Sequence, residues 1–509
     1  MKRYMALIVG AGLSMLAFGL SSALFGAASH DMAATLGLSL DEVSLLNVAF
    51  MAMQLIGFMI APLLLRSVGN RRTLYAALSM VFLASLMLIT QHHVGWHLAA
   101  WMLNGLGVSL LLISVNLIVL SACSYRAMTL MTGFTLTLST LLPMGLYPWL
   151  LADILEHAPW QTLIAIQAWC VAAAGIWAWL YPPQDHPLPS VAKSSPWVYL
   201  LTGLGCSGIV FLLMRGSHYN WFDFPDFGRW ALIALACLLF AGTIVWHRKQ
   251  PDGTGTQHVV SHIKANVFLY NAFLAGFAVM ASGALLNGFL GQVMHFNATN
   301  SGWVQAPAFL TMLIGMAISL LACNQQKVPA DAMTPLGVLM ILISVYLCST
   351  LPSNASAETL LLPIGLRGFG VGLLNVSVTI LVFAYFKPEQ RPEGIALFYF
   401  IRTLGGLIGS AVFSRIIQVK SAQSMAEASR MLPTESAALQ QFEQHISQAL
   451  MTQGVIPNPA LAASQLSQLM KTEVSTQALN NAFIGFLIAI FVLTPVLLIG
   501  KKLAAKKAH

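Results

Sequence analysis

Long apolar segments follow one another along the whole chain and are separated by short polar connections. A membrane-spanning helix needs about 20 consecutive apolar residues, and roughly fourteen segments of this length can be recognised. We predict spans at residues 5–28, 43–65, 73–91, 96–120, 127–151, 160–181, 197–214, 229–247, 265–291, 302–322, 334–350, 359–386, 393–414 and 481–500. The pattern therefore predicts an all-α polytopic membrane protein whose two termini lie on the same side.

The basic residues indicate which side that is. Most of the 25 lysines and arginines fall in connections that are cytoplasmic if the N-terminus is cytoplasmic. Cytoplasmic loops of membrane proteins carry an excess of Lys and Arg, so both termini are predicted to be cytoplasmic. The net charge of +8 is explained by these loops, and it does not indicate nucleic-acid binding.

Composition excludes other classes of protein. Hydrophobic residues make up 57% of the chain and charged residues 8%, whereas soluble domains carry roughly 25% charged residues. The six cysteines are scattered without the CxxC spacing of a metal site, and no hydrolase, zinc-protease or nucleotide-binding motif is present. We therefore predict a non-enzymatic protein without a metal or cofactor.

Polar linkers divide the predicted spans into three groups. Residues 182–195 are rich in proline, and residues 248–262 form a second polar linker. We predict an N-terminal six-helix bundle at residues 1–181, a pair of linker helices at 182–262, and a C-terminal six-helix bundle at 263–509. The last bundle contains a long outer loop at residues 415–480, helical in part, which is either a solvated hairpin or a docking surface for an outer partner.

Charged residues lie in connections or at the edges of the predicted spans, except for two arginines. None of the 17 acidic residues lies deep within a span, but Arg367 and Arg402 stand alone in long apolar runs. Ionisable groups are costly there and mark a substrate or proton path, or a fixed structural pair. Both arginines are therefore substrate-cavity candidates that could attract an anionic or polar substrate. The alternative is that they bond backbone carbonyls of neighbouring helices and fix the packing.

A resemblance to a known family rests mainly on residues 366–410. This stretch reads LRGFGVGLLNV, then KPEQRPEG, then FYFIRTLGGLIGSAVF, and it combines Arg402 with Gly405, Gly406 and Gly409. With the six-two-six layout, it resembles the fourteen-span drug:proton antiporter branch of the major facilitator superfamily, the EmrB/QacA-like transporters. The resemblance implies two six-helix bundles plus an inserted helical pair. It also implies export of amphipathic or toxic small molecules across a bacterial inner membrane, with a periplasmic membrane-fusion adaptor at the outer loop.

The N-terminal half departs from the family pattern. The cytoplasmic gate loop after the second span keeps Gly69, Arg71 and Arg72, but Arg66 stands at its acidic position. Trp101 replaces the arginine of the fourth span, and Ser21 stands where the family has an aspartate in the first.

These departures argue against proton coupling by the family's usual route. Asp153, next to a long span and expected to be partly buried, is the proton-coupling candidate.

Further candidates are polar or aromatic side chains within spans. A polar group in a dry interior must find a partner, so each could line the substrate cavity or join two helices. These substrate-cavity candidates are Trp101, Asn104, Asn116, Asn287 and Asn375. Gly405, Gly406 and Gly409 give one helix a small face on which a neighbour can pack and slide.

Three functions remain open from the sequence. The first is efflux by alternating access, and the second is transport of a specific anionic metabolite or siderophore-like compound that uses Arg367 and Arg402. The third is a non-transporting membrane scaffold, which would lack a continuous polar cavity.

Overall fold

The computed structural model describes most of the chain. The described ranges are residues 2–91, 93–122, 125–183, 196–216, 228–229, 231–238, 263–324, 330–386, 390–431 and 459–506, with single positions at 242, 441, 444 and 448. Every regular element in these ranges is a helix. About half of the predicted eighth span is described and is helical, including residues 231–238, whereas the linker at 248–262 lies outside the described residues.

The first half consists of helices whose bounds follow the apolar segments. They are α1 (Lys2–Leu36), α2 (Leu40–Ser67), α3 (Asn70–Thr90), α4 (Val94–Ala122), α5 (Tyr125–Leu136), α6 (Leu142–Gly145), α7 (Tyr147–His157) and α8 (Gln161–Leu180). A capping box starts α2, because the Ser39 hydroxyl accepts a hydrogen bond from the Glu42 backbone N–H while the Glu42 carboxylate accepts one from the Ser39 backbone.

The fifth predicted span is not the straight helix that its apolar pattern suggests. It consists of α5, a π-helical turn at Thr137–Leu141, α6 and α7, with a bend of 64° between residues 129–145 and residues 147–157. Pro143 and Pro148 lie on either side of the bend. A proline lacks the backbone N–H and clashes with the preceding turn, so two prolines within six residues account for the break.

The remaining helices form the second half and the connection to it. They are α9 (Pro196–Arg215), α10 (Ile263–Gln292), α11 (Ala298–Asn324), α12 (Ala330–Ser349), α13 (Ala357–Tyr385), α14 (Arg391–Met431) and α15 (Pro459–Lys506). Within the described residues, ten helices are long and apolar enough to cross a membrane, or eleven if the bent element is one span. The predicted spans at 197–214 and 334–350 correspond to two shorter apolar helices.

The outer loop predicted at 415–480 was expected to be helical in part. Helix α14 continues to Met431 and α15 begins at Pro459, so both ends of the predicted loop are helix. At 1.5 Å per residue, the 41 residues of α14 measure about 61 Å and the 48 residues of α15 about 72 Å. A bilayer with its headgroups is about 40–45 Å thick, so both helices project beyond it.

Helix packing groups the elements around two centres. In the first half α4 packs against α2 and α3, and α8 packs against α1 and α3. In the second half α13 packs against α11 and α12, while α14 packs against α10 and α15. The halves meet where α2 contacts α14 and where α7 contacts α11, and α9 lies against α2.

Side-chain contacts define two ends of this helical assembly. The basic face carries the end of α2, the start of α3, the end of α8 and the start of α14. The opposite face carries the end of α1 and the start of α8, where Trp160 Nε1 donates to Thr35 Oγ1 at 2.8 Å. There Arg215 at the end of α9 also forms an ion pair with Asp41 at the start of α2, through Nη2 and Oδ2 at 2.7 Å.

Candidate functional site

A buried ion pair joins the two halves at the basic face. Arg66 near the end of α2 donates from Nε to Glu393 Oε1 at 2.6 Å and from Nη2 to Oε2 at 2.8 Å. The side chains of Arg66 and Glu393 are only 4% and 3% exposed. This bidentate geometry is the strong form of a carboxylate–guanidinium contact, and burial shields it from water and salt. We call this contact the basic-face ion pair.

One and a half turns further along α14, a second contact crosses between the halves. Asn116 of α4 donates from Nδ2 to the Tyr399 hydroxyl at 3.3 Å and to the Leu112 carbonyl at 2.8 Å. The Tyr399 ring stacks on Phe58 of α2, with the ring centroids 6.0 Å apart. Asn116 is therefore on the surface where the first half meets α14.

Arg402 lies one turn beyond Tyr399 and bonds within the second half. Its Nη2 donates to Asn375 Oδ1 on α13, and its guanidinium carbon lies 5.8 Å from the centroid of the Phe398 ring. The Asn375 side chain is buried, and its Nδ2 has no hydrogen-bond partner in the described part of the chain. We call Asn116, Tyr399, Arg402 and Asn375 the interface cluster.

The basic-face ion pair and the interface cluster follow one another along α14. Nine residues separate Glu393 from Arg402, which corresponds to about 13 Å along the helix. A molecule between the two halves would meet an amide, a phenol hydroxyl and a guanidinium in this order from the basic face. The three groups suit hydrogen bonding to a polar or anionic part of a ligand, and the rings of Phe58 and Phe398 suit an apolar part.

Arg367 occupies a different environment. It donates from Nε to Ser282 Oγ at 3.0 Å and from Nη2 to the Val279 carbonyl at 3.1 Å, both on α10. Its side chain is buried, and these bonds are of the helix-joining kind. The structure thus separates the two arginines that the sequence presents as equivalent.

The three glycines of α14 face α10 at close range. A Cβ atom at Gly405 would collide with the Phe273 backbone, and one at Gly406 would lie 2.7 Å from Met280. At Gly409 the distance to the Ala281 Cβ would be 3.1 Å. A larger residue at Gly405 would push against the backbone of α10, which is the close approach that the predicted small face requires.

Trp101 and Asn104 lie inside the first half. The Trp101 ring is fully buried between Phe25 at 4.2 Å and Phe50 at 5.9 Å, measured between ring centroids. Asn104 accepts a hydrogen bond from Gln167 Nε2 of α8 at 3.1 Å. Neither side chain reaches the interface cluster in this conformation, and their part in a substrate cavity stays a prediction.

Asn287 and Asp153 are both exposed. Asn287 lies on α10 seven residues, or about two turns, beyond Met280, which is 49% exposed, so the two share one face of the helix. Asp153 lies on α7, and its backbone carbonyl contacts His157 Nδ1 at 2.9 Å. The partial burial expected for Asp153 is wrong, because α7 is the bent outer end of its span and turns this side chain outwards. Its coupling role stays a prediction.

The predicted gate loop is a two-residue turn between α2 and α3. Gly69 has φ +93°, a backbone conformation that L side chains rarely adopt, and it starts α3. Arg71 and Arg72 follow in the first turn of α3 and are exposed. The guanidinium carbon of Arg71 lies 5.7 Å from the centroid of the Tyr75 ring.

Sequence reasoning did not identify Glu393 or Tyr399. An acid in the first turn of a helix, such as Glu393, normally indicates only a favourable helix start. The signal that could have revealed Glu393 was Arg66. It stands where the family pattern has an acidic residue, and such a reversal of charge suggests a partner of the opposite charge elsewhere in the chain. Tyr399 lies in an apolar run and carries no such signal. Among the described residues, no group of three or more His, Cys, Asp or Glu side chains could hold a metal ion.

The apolar helices, the two packed halves and the polar contacts between them define a multi-pass membrane transporter fold. A family model described as the Major Facilitator Superfamily matches residues 10–410. The chain belongs to this superfamily, and the resemblance stated from the sequence is confirmed.

Curated relatives are similar at low identity. The colistin resistance protein EmrB of Acinetobacter baumannii is 22% identical over 310 residues, which cover 60% of this chain and 58% of that protein. The multidrug export protein EmrB of Haemophilus influenzae is 21% identical over 216 residues, covering 42% of this chain and 41% of that protein. The matched region thus spans about half the length of these relatives.

Solved structures share the fold over nearly the whole chain. The human organic anion transporter MFSD10 (TETRAN) superposes with a TM-score of 0.58 at 14% identity, covering 96% of this chain and 98% of that one. The tetrameric PepTSo2 gives the same TM-score at 13% identity, covering 99% and 100%. At these identities the likeness concerns the fold alone.

Proposed function

We propose that this chain exports amphipathic or toxic small molecules from the cytoplasm across a bacterial inner membrane. The observation that carries the proposal is membership of the superfamily together with similarity to two proteins named for multidrug export and colistin resistance. In this orientation the basic face is cytoplasmic, as the lysines and arginines of its loops favour.

In a transport cycle that works by alternating access, the basic-face ion pair would form and break as the two halves move. Arg66 and Glu393 belong to different halves, so the pair closes the cytoplasmic end when it is formed. It must separate when the halves rock apart to accept a molecule from the cytoplasm. The interface cluster then becomes accessible, and its ring faces and hydrogen-bonding groups suit an amphipathic substrate.

The projecting ends of α14 and α15 support a further part of the proposal. They extend beyond the thickness of a bilayer on the face opposite to the basic face, which is periplasmic in this orientation. We propose that this helical projection contacts a periplasmic membrane-fusion adaptor. Deletion of residues 420–470 should abolish co-purification with such an adaptor while the detergent-solubilised protein keeps its thermal stability.

Transport in proteoliposomes tests the export proposal. The purified full chain should move a fluorescent amphipathic dye when a proton gradient is imposed, and Asp153→Asn should reduce this transport. Asp31→Asn is the matched control, because Asp31 is also an exposed acid at the opposite face. Dye movement that is indifferent to the gradient would contradict proton coupling. Failure to move any amphipathic dye would contradict export.

A second candidate function is transport of an anionic metabolite or siderophore-like compound. It is favoured by Arg402, whose guanidinium bonds a neutral amide and forms no ion pair with a carboxylate in the described ranges. Arg402→Gln should then abolish transport of organic anions while the protein still folds. Arg367→Gln is the comparison, since its bonds to α10 predict lower thermal stability instead. Equal transport of anions by wild type and Arg402→Gln would reject this candidate.

A further inference from the structure

A cavity lies within the first half, away from the interface cluster. It has a volume of about 430 Å³ and lies at the basic face, between the starts of α1 and α3 and the ends of α4 and α8. This volume is within the range of about 300–1,000 Å³ that small-molecule sites occupy. All of its lining residues belong to the first half, so it does not lie between the two halves.

The interior of the cavity suits a hydrocarbon chain. Its walls come from apolar side chains, with no charged residue among those that line it. Two serine hydroxyl groups line the interior, but Ser14 donates to the Gly10 carbonyl at 2.8 Å and Ser121 donates to the Ile118 carbonyl at 3.0 Å. Both serine hydroxyl groups are thus hydrogen-bonded within their own helices and need no polar group from a ligand.

The rim of the cavity faces the surrounding membrane. Leu180 and Tyr181 line the cavity and are 55% and 40% exposed, and neighbouring Trp179 is 73% exposed. Tyr181 stacks on Trp177 with the ring centroids 5.4 Å apart. Exposed aromatic side chains at the end of a spanning helix are typical of the headgroup level. The cavity therefore opens sideways towards lipid.

Positive charge borders this rim. Arg71 is one turn before Leu74, which lines the cavity, and so lies on the same face of α3. Tyr75, whose ring is beneath the Arg71 guanidinium, donates its hydroxyl proton to the carbonyl of cavity-lining Ala178 at 2.7 Å. Basic groups beside a pocket between spanning helices are an established arrangement for holding anionic headgroups.

We propose that this cavity binds an anionic phospholipid, with one acyl chain inside and the headgroup at Arg71. The site is separate from the path between the halves, so the bound molecule is a resident lipid rather than cargo. It would bridge α1, α3 and α8 at the level of the headgroups.

Native mass spectrometry of the delipidated full chain tests the site. Titration with phosphatidylglycerol should retain one lipid per chain, at least tenfold more tightly than phosphatidylcholine with the same acyl chains. Gly10→Leu should abolish this retention, because Gly10 has open space at its Cβ position and a leucine there fills the cavity. Gly26→Leu is the matched control, since Gly26 also lies on α1 with open space beside it but far from the cavity.

The headgroup contact is tested separately. Arg71→Gln should reduce the preference for phosphatidylglycerol over phosphatidylcholine at least fivefold, and Arg72→Gln should leave it closer to wild type. Oleate that binds as tightly as phosphatidylglycerol would overturn a phospholipid in favour of a free fatty acid. Gly10→Leu that retains lipid like wild type would overturn the site itself.

Discussion

The basic-face ion pair allows a quantitative prediction about the equilibrium between the two ends of the transporter. Arg66 and Glu393 are almost fully buried when the halves meet, and they become hydrated when the halves separate. Replacing Glu393 by Gln leaves a buried guanidinium without its carboxylate. Breaking one partner of a buried pair costs about 3–5 kcal/mol, and this cost falls only on the closed arrangement.

The equilibrium should therefore shift towards separation at the basic face. Each 1.4 kcal/mol changes an equilibrium constant tenfold, so the expected shift is roughly two to three and a half orders of magnitude. Arg66→Gln should have a similar effect, because it leaves a buried carboxylate instead. The charge-exchanged double variant Arg66→Glu/Glu393→Arg should recover most of the closed arrangement.

Distances between spin labels measure this shift. Cysteines introduced at Ser67 and Leu321, both exposed near the basic face on different halves, would carry the labels after the six native cysteines are replaced. The single variants should populate longer distances, and the double variant should return to the shorter ones. Single variants with an unchanged distance distribution would refute the reasoning. A double variant equal to the sum of the singles would show that the two residues do not act as a pair.

The structure predicts whether three further substitutions lower stability or transport. Gly69→Ala should lower the thermal unfolding temperature, because φ +93° costs a side chain about 1–3 kcal/mol, whereas Gly26→Ala in an open part of α1 should not. Trp101→Ala should cost about 3–5 kcal/mol of stability by leaving a cavity, while exposed Trp169→Ala should have little effect on the same unfolding curve. Gly405→Ala should impair dye transport because the added Cβ atom pushes α10 away from α14. Gly485→Ala is the control and should not impair transport, since a Cβ atom has room there. Equal activity of the two variants would contradict close packing as the cause.

The sequence predicts the helices well because a bilayer imposes their length. An apolar segment of about 20 residues has few other ways to satisfy its backbone in lipid, and the predicted bounds of α2, α3, α4 and α8 are close to the observed ones. The bend at α7 was missed because α5, α6 and α7 form one unbroken apolar run. The prolines that bend it do not change its hydrophobicity.

The outer extensions of α14 and α15 were predicted only as a loop that is helical in part, and their bounds were not predicted. Residues 415–431 and 459–480 are polar, and a polar segment next to a span is normally interpreted as the start of a loop. Their serine, glutamine and alanine residues are compatible with a helix in water, so polarity marks the membrane boundary but not the end of the helix.

The candidate site could be predicted only in its residue types. The sequence identified Arg367 and Arg402 because charge within a span is costly. It could not show that Arg367 bonds to a backbone carbonyl of α10 whereas Arg402 lies beside Tyr399. The basic-face ion pair joins residues 327 positions apart in the chain. Such a contact depends on how α14 docks against α2, and no local pattern encodes that.

The continuity of α14 gives this helix a mechanical property. It begins at the ion pair on one face of the membrane and ends at Met431 beyond the opposite face, with contacts to α10 between them. A helix that tilts about a point within its length moves its two ends in opposite directions. If the release of Glu393 from Arg66 tilts α14, the far end of the helix would move as well, which would couple the basic face to the opposite side of the membrane.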